Sequence, residues 1–564
     1  MKSLFHGVIA EDLVAPFPEL SAPEREVVTP LLDGFRRFAA DHIDPRAIDA
    51  DATIPEPVVD GLRKQGLFGV LAPRAHGGLG LSTFAYARLM QEVGAHDGSV
   101  ALMLTAHQSL GTMGLLLFGT DAQKRKYLPR VASGESIASF CLTEPSAGSD
   151  AAGIQTRADP AVDGEGWVLE GQKSWIANGD RADLFTVFAR TSKEEVKPRL
   201  TAFLVERAHG VRTGPRLDKH GVRGLGTTDA RFEAVRVPHG NVLGDPGRGF
   251  QVAMEVLNRG RLGLTASAVG ACRTLVDASI VHASSRRAFG RAIGELGLVR
   301  DKIARMTIDT FALESAVYLT AGLVDGQAAA DFSLESAICK VLGSEVFLRV
   351  SHEAAQLVGG RAYARSSFER LLRDARAHLI FGGTNEIMRC FIALSGMQGP
   401  GKEISEVVRA MREPIKGFGL LSDFAIRKAR SALGRERLHR VHPLLNRETV
   451  LFEEYTAELA KNVDKVLRKH GKDIAEMQFT QRRIADLAID LYALVACLSR
   501  ATKAIERRGE EGARREVELT TAFASGAEVR MADTVRAFDR NDDELRKAIA
   551  VRGYADGNYP LDVL

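Results

Sequence analysis

The sequence predicts a mainly α-helical protein with a central β domain. Helical patterns fill the first 135 residues, and a capping box at Ser21–Glu24 begins the first helix. Short β-branched and aromatic runs between turn residues occupy 136–243, which indicates strands. From residue 244 the apolar residues again recur with helical spacing, over long stretches. These changes in the spacing of apolar residues divide the chain into helical, β and helical parts.

Composition limits the class of protein. A chain of 564 residues is too long for one ordinary core, so several domains are expected. A net charge of +3 gives no reason to expect a nucleic acid partner. The five cysteines lie far apart, without CxxC or paired Cys/His spacing, which argues against a disulfide framework and against a metal site.

The N-terminal helical domain is expected to comprise residues 1–135. Its helices are expected at 21–43, 56–66, 83–95, 97–118 and 121–132. Ala101–Phe118 is the most apolar region, but His107 and Gln108 interrupt it, so it is not expected to span a membrane. Met1–Leu20 does not resemble a secretory signal, and a cytoplasmic location is expected.

The β domain, residues 136–243, is expected to be antiparallel in character, with a charged loop at 192–198. Its strands are expected at Ile137–Leu142, Trp167–Glu170, Lys173–Ala177, Leu184–Ala189, Leu200–Val205 and Ala230–Val237. Residues 244–399 are expected to form a four-helix bundle. Its helices are expected at 249–284, 296–324, 333–357 and 385–396.

Residues 400–564 are expected to form a second helical domain. Apolar stripes within 452–466 and 484–498 predict two amphipathic helices. The segment 414–442 places seven basic residues beside apolar ones. Such a segment is typical of a peripheral membrane contact, and a solvated linker helix is the alternative.

One stretch combines a strand with a loop suited to ligand binding. The run Ile137–Leu142 breaks into Thr143–Asp150, which is rich in Pro, Ser and Gly. Such a loop exposes backbone N–H groups and small hydroxyls, which suit carbonyls and phosphates. An ordinary strand exit is the alternative.

Position by position, Cys141–Asp150 resembles the first signature of the acyl-CoA dehydrogenase family, and most of the chain is similar to its very-long-chain branch. The resemblance implies the acyl-CoA dehydrogenase fold with a C-terminal extension, one FAD per subunit and a long-chain acyl-CoA substrate. Around the first two motifs it implies flavin contacts from Phe140, Leu142, Thr143, Gly148, Ser149, Trp175, Ile176 and Ala177. Ser149 is also implied to line the thioester.

The resemblance also implies contacts with the FAD of a second subunit, and hence a homodimer. The implied residues are Arg286, Phe289, Gln356, Gly359 and Gly360. A basic helix end and an ordinary Gly-Gly turn are the alternatives here. Ala362 departs from the family pattern, in which glycine is usual, and this departure is expected to strain or reshape the loop if the backbone there has a positive φ.

The last segment that the resemblance assigns to the site carries an unexpected residue. Thr384, Asn385 and Glu386 are implied to hold the flavin, and Arg261, Gly382 and Gly383 to bind the substrate. For Arg261, an exposed helix arginine is the alternative. In the family the residue before this turn is normally the glutamate that removes the α-proton. Here it is Gly382, and Gly260, the other position that carries the acid in some branches, is also glycine. Glu386 is a candidate replacement.

Three hypotheses follow from the missing glutamate. The chain is an acyl-CoA α,β-dehydrogenase with an unrecognised base, a base-free flavin enzyme such as a monooxygenase, or a flavin and acyl-CoA binding protein without turnover. For the first, the resemblance implies an electron-transfer flavoprotein or a similar protein as electron acceptor.

Overall fold

A computed structural model describes residues 1–191, 199–326, 331–412 and 436–562. The predicted loop at 192–198 and most of the predicted basic segment at 414–442 lie outside these residues. The described chain forms two compact units, one of residues 13–388 and the other of residues 1–12 and 389–562.

The unit of residues 13–388 begins with helices, as predicted. They are α1 (Ala22–His42), α2 (Pro45–Asp51), α3 (Glu56–Lys64), α4 (Thr83–His96), α5 (Gly98–Thr105), α6 (Met113–Phe118) and α7 (Asp121–Ala132). Ser21 caps α1 by accepting a hydrogen bond from the backbone N–H of Glu24, as the capping box predicts. The single helix predicted over 97–118 is wrong in detail, because a π-helical stretch, Ala106–Gly111, separates α5 from α6.

The β sheet follows α7. Its strands are β1 (Ala138–Cys141), β2 (Arg157–Pro160), β3 (Gly166–Ala177), β4 (Leu184–Arg190), β5 (Leu200–Glu206), β6 (Arg212–Thr213), β7 (Thr227–Pro238) and β8 (Val242–Leu243). Most pairs are antiparallel, but β1 and β2 both pair with β4 in parallel. Two predicted strands, Trp167–Glu170 and Lys173–Ala177, form the one strand β3, whose register against β7 shifts twice.

Long helices complete this unit. They are α8 (Gly249–Ser285), α9 (Gly297–Asp325), α10 (Ser333–Val358), α11 (Gly360–Tyr363) and α12 (Ser367–His378). A short hairpin, β9 (Arg287–Ala288) and β10 (Arg291–Ala292), joins α8 to α9. Helices α8, α9 and α10 pack on one another, and α4 packs on α8 and α9.

The fourth predicted helix begins at the predicted residue but ends later. Helix α13 is Asn385–Arg412, and its residues from Arg389 onward belong to the other unit. Two helices of the extension, α14 (Asn446–His470) and α15 (Gln478–Gly512), contain the predicted apolar stripes. The sequence interpretation did not identify α16 (Arg514–Ala537) and α17 (Asp543–Asp556).

By length and hydropathy alone, two described helical stretches are long and apolar enough to cross a membrane. They are Gly98–Phe118 and Gly249–Ser285. The first contains Ala101–Phe118, which the sequence interpretation does not expect to span a membrane, and that expectation stays a prediction. Most of each apolar window is buried inside the protein, however, as expected for core helices.

Candidate active site

The first two predicted motifs lie side by side. The loop after β1 follows Cys141, and the carbonyl of Thr143 accepts a hydrogen bond from the N–H of Ser174 in β3 (2.9 Å). At the other end of β1, the Ser139 hydroxyl donates to the Ala177 carbonyl (2.7 Å). The loop and the β3 segment therefore form one surface, as the resemblance implies.

A buried ion pair that the sequence interpretation missed holds the loop in place. Lys173 Nζ lies 2.7 Å from Glu144 Oε1, and both side chains are almost fully buried. Nζ also donates to the Leu142 carbonyl (3.1 Å). The Glu144 carboxylate accepts the N–H groups of Gln155 (2.5 Å) and Thr156 (2.9 Å). Burial raises the pKa of Glu144, but the Lys173 ammonium and these N–H groups outweigh burial and hold it below its ordinary value.

Trp175 presents an open aromatic surface beside this loop. Its φ of 60° falls where the β3 register shifts between Lys173 and Ile176, and 64% of the residue is exposed. Ile176 is buried in the sheet, while Ala177 is half-buried. On the loop side, Gly148 and Ser149 are exposed, and a Cβ placed on Gly148 would meet no other atom within 4 Å. A planar aromatic ligand would fit against this surface without displacing a side chain of the core.

We expect Trp175→Ala to weaken FAD binding with little change in the free energy of unfolding. Removing about 100 Å² of apolar contact costs about 2 kcal/mol, or roughly 30-fold in Kd. Trp167→Ala is the matched control, because Trp167 lies in the same strand but packs on Phe203. It should lower stability and leave FAD affinity unchanged. Equal flavin affinity in both variants, measured by fluorescence titration, would remove Trp175 from the site.

The turn that carries Gly382 is held by Arg261 of α8. Arg261 is buried, and its Nε donates to the Gly382 carbonyl (3.0 Å) while Nη1 donates to Asn258 Oδ1 (2.8 Å). Burial lowers the pKa of Arg261 to about 10. The resemblance implied a substrate-binding arginine here, with an exposed helix arginine as the alternative, and the buried position contradicts that alternative.

Gly382 has a free N–H and free space. Its φ is 72°, and the N–H makes no hydrogen bond within the described residues. A Cβ placed on Gly382 would meet only Arg261 Cγ and Leu264 Cδ2, both at 3.9 Å. The position that carries the family glutamate by resemblance is therefore neither filled nor blocked by another side chain.

A second buried lysine holds the other side of the turn. Lys340 Nζ donates to the carbonyls of Gly383 (2.6 Å) and Leu379 (3.3 Å) and to Asn385 Oδ1 (2.8 Å). Asn385 is buried and begins α13, where its amide donates to Glu345 (3.1 Å). The sequence interpretation missed Lys340, because a single lysine in a helix usually lies on the surface.

Thr384 and Glu386 flank Asn385. The Thr384 hydroxyl accepts the N–H of Ile387 (3.4 Å), and Glu386 is exposed on the first turn of α13. No contact joins Glu386 to the Gly382 turn within the described residues. Its role as the base stays a prediction.

His378 packs beside this turn, with its ring against Phe347 and Phe381 (centroids 5.1 and 5.5 Å apart). Burial, helped by the charge of Lys340, lowers its pKa to about 3. The unfolded chain binds a proton at this histidine at a higher pH than the folded protein does. The free energy of unfolding therefore decreases as the pH falls below about 6.5. We expect this histidine to lower the free energy of unfolding by about 2 kcal/mol between pH 6.5 and 5. Urea denaturation of His378→Phe should lose that part of the pH dependence, and an unchanged slope would contradict the prediction.

The remaining predicted residues are exposed. Arg286 precedes β9, whereas Phe289 lies in the turn between β9 and β10 and is 87% exposed with a φ of 53°. Gln356, Gly359 and Gly360 are exposed at the end of α10. Burial and the charges of Arg361, which follows Gly360, and of Arg286 lower the pKa of His282.

The expected strain at Ala362 is absent. Ala362 lies in the short helix α11 and does not have a positive φ, whereas Gly359 before it has a φ of 68°. The unusual conformation therefore falls on a glycine, where it costs little.

Four family domains match the sequence. The N-terminal, middle and C-terminal domains of acyl-CoA dehydrogenases match residues 28–135, 139–235 and 247–397, and the ACAD9/ACADV C-terminal domain matches 443–551. The mitochondrial very long-chain specific acyl-CoA dehydrogenase of Homo sapiens is 40% identical, over 99% of this chain and 88% of the human protein. A probable acyl-CoA dehydrogenase of Bacillus subtilis is 33% identical, over 82% of this chain and 78% of that protein.

Two solved structures that resemble this chain are also acyl-CoA dehydrogenases. An acyl-CoA dehydrogenase complexed with FAD from Bacillus anthracis superposes with a TM-score of 0.81 at 28% identity, over 100% of this chain and 96% of that chain. Butyryl-CoA dehydrogenase from Megasphaera elsdenii superposes with a TM-score of 0.63 at 31% identity, over 67% of this chain and 99% of that chain. The predicted fold is confirmed.

Proposed function

Because this chain belongs to the acyl-CoA dehydrogenase family, we propose that it uses FAD to oxidise long-chain acyl-CoA between the α and β carbons, slowly for want of a glutamate at position 382. The observation that carries the proposal is the N–H of Gly382, which has no hydrogen-bond partner among the described residues. It lies on a turn whose carbonyl accepts from Arg261 and which has open space beside it. A hydrogen-bond donor fixed in this way suits a thioester carbonyl oxygen.

The residues around Trp175 fit the cofactor. Its open aromatic face, the backbone of Thr143 and the small residues Gly148 and Ser149 would hold the flavin ring. When bound, FAD supplies the acceptor for the hydride that leaves the β-carbon. By resemblance the family usually has Thr or Ser at the position of Ala177, and its hydroxyl bonds the flavin ring. Alanine cannot make this hydrogen bond, whose loss costs about 0.5–1.5 kcal/mol. That loss adjusts the cofactor without preventing its binding.

Removal of the α-proton is the weak step. The N–H of Gly382 would stabilise negative charge on the thioester oxygen as the α-carbon loses its proton. Gly382 itself cannot accept that proton. Loss of a positioned base costs about 10²–10⁴ in rate. Turnover is therefore expected to be slow and to depend on solvent or a solute as the proton acceptor.

The test is anaerobic mixing of the FAD-loaded protein with palmitoyl-CoA. The proposal predicts slow loss of the visible flavin absorbance and formation of the 2-enoyl-CoA, identified by mass spectrometry. A flavin that stays oxidised while acyl-CoA is bound would overturn the proposal.

The lack of a carboxylate at position 382 also favours two other candidate functions. One is a base-free flavin enzyme, and the other is a binding protein without turnover. In the first case an external reductant would reduce the flavin, and oxygen would then yield an oxygenated product. In the second, FAD and acyl-CoA would bind without any change in either.

The proposed assembly is a homodimer. The exposed group of Arg286, Phe289, Gln356, Gly359 and Gly360 supports it, since in the family these positions face the FAD of the second subunit. An electron-transfer flavoprotein or a similar acceptor would reoxidise the flavin. Light scattering of the FAD-loaded protein tests the dimer.

A cytoplasmic location with peripheral membrane contact through 414–442 completes the proposal. Of the described basic residues in this segment, Arg440 pairs with Asp12 (2.8 Å), so its charge is not fully available to a membrane. Flotation with anionic liposomes should decrease when Arg427, Lys428 and Arg430 are changed to glutamate. Equal flotation would favour the solvated linker.

A further inference from the structure

A second cavity lies on another side of α8. Its volume is about 300 Å³. Leu262 lines it, whereas Leu264 lies beside Gly382. Residues two positions apart along a helix point about 200° apart, so Leu262 and Leu264 face opposite sides of α8. Asn258 also lines the cavity and accepts a hydrogen bond from Arg261 (2.8 Å). Within the described residues, none of the predicted flavin or substrate residues lines this cavity.

About half of the residues that line the cavity are apolar or aromatic, and the rest are polar, such as Ser82, Ser109 and Thr320. The apolar part of the wall includes Leu71, Leu81, Met113, Leu116, Leu262 and Val324. Water in the liquid occupies about 30 Å³ per molecule, so the cavity holds about ten groups of that size. An alkyl chain of about eight to ten carbons therefore suits its volume and its surface.

One cation faces this apolar wall. The Arg259 guanidinium carbon lies 5.1 Å from the centroid of the Phe332 ring, and both residues line the cavity. Its Nε is buried and has no hydrogen-bond partner within the described residues. An arginine in such surroundings is costly unless an acceptor pairs with it. Among the described residues none supplies this acceptor, and a bound anion could supply it.

The nearby carboxylates do not supply it. Asp325 lines the cavity, but its two oxygens accept the N–H groups of Thr83 (2.7 Å) and Phe84 (2.8 Å) at the start of α4. Glu255 and Asp325 act on Arg259 only through space. The guanidinium therefore keeps its donors for another anion.

We propose that this cavity binds a medium-chain fatty acid as its carboxylate, with the alkyl chain on the apolar wall and the carboxylate on Arg259. The carboxylate would supply the acceptor that Nε lacks, and an Arg–carboxylate pair is planar and bidentate. Fatty acid binding here is independent of acyl-CoA oxidation at Gly382.

Calorimetric titration of the full-length protein with decanoate tests the proposal. An unreactive thioether analogue of palmitoyl-CoA, added in excess, keeps the acyl site filled. Decanoate is expected to bind once per chain, and octanoate about 15-fold more weakly, since each methylene contributes about fourfold. 1-Decanol, which has the same chain without the charge, is expected to bind at least 10-fold more weakly than decanoate.

Variants test whether the charge of Arg259 binds the carboxylate. Arg259→Met is expected to weaken decanoate binding by about 10- to 100-fold, and Arg259→Lys to restore part of it. Arg273→Met is the matched control, because Arg273 lies on the same helix, outside the cavity, and pairs with Glu314. It should leave binding unchanged. Equal affinity in the Arg259→Met variant, full competition by the acyl-CoA analogue, or an equal affinity for 1-decanol would overturn the proposal. If Arg259→Met fails to fold, the decanol comparison on the wild-type protein still decides.

Discussion

Gly382→Glu is expected to raise the rate of flavin reduction by palmitoyl-CoA by about 10²–10⁴. The change supplies the positioned base that the wild-type turn lacks. Space is available, because the nearest atoms to a Cβ on Gly382 lie 3.9 Å away. The φ of 72° is unfavourable for a residue with a side chain and costs about 1–2 kcal/mol in the free energy of unfolding. Stopped-flow absorbance under anaerobic conditions measures the rate.

Gly382→Gln is the matched control. It has the same size and backbone strain but cannot accept the proton, so its rate is expected to stay at the wild-type level. Glu386→Gln should also leave the rate unchanged, since the Glu386 side chain is exposed. An equal rate for the glutamate and glutamine variants would show that a carboxylate at this position is not what limits turnover. A large loss of rate in Glu386→Gln with unchanged flavin content would instead identify Glu386 as the base.

Lys173→Met is expected to lower the free energy of unfolding by about 3–5 kcal/mol, because it leaves the buried Glu144 carboxylate without its partner. The loop of Thr143 depends on that carboxylate, so bound FAD should be lost as well. Urea denaturation and the flavin content of the purified protein measure the two effects.

Two controls separate the charge from the loss of a side chain. Lys173→Met combined with Glu144→Gln removes both charges and keeps an acceptor for the N–H groups of Gln155 and Thr156. It should recover a large part of the lost stability. Lys126→Met breaks a pair with Glu206 in which both side chains are partly exposed, 58% and 27%, and should cost less than about 1 kcal/mol. Similar losses for the Lys126 and Lys173 variants would contradict a special role for the buried pair.

Local patterns predict the fold where one period continues without interruption. Helix α7 has a capping box at Thr120 and Gln123 and begins and ends where predicted. The π-helical stretch at 106–111 could not be predicted in this way, because its buried His107 bonds to distant backbone groups at Val131 and Ala138. Strand β3 continues through Gly171, where the sequence interpretation ended one strand and began another.

The candidate site shows the same limit. Motif residues such as Thr143 and Trp175 could be identified because each lies in a short recognisable stretch. Lys173 and Lys340 were missed, since a lone lysine usually lies on the surface and only the packed structure shows its partners. Contacts between distant segments, such as Arg261 with Gly382, also require the fold.

Chemical rescue tests the missing carboxylate most directly. The rate of anaerobic flavin reduction by palmitoyl-CoA is measured in the wild-type protein with increasing formate, and again in Gly382→Glu. Because the space beside Gly382 is open, formate is expected to accelerate the wild-type reaction in a saturable way and to leave the variant unaffected. A wild-type reaction that is fast without formate, or that formate does not accelerate, would contradict the account.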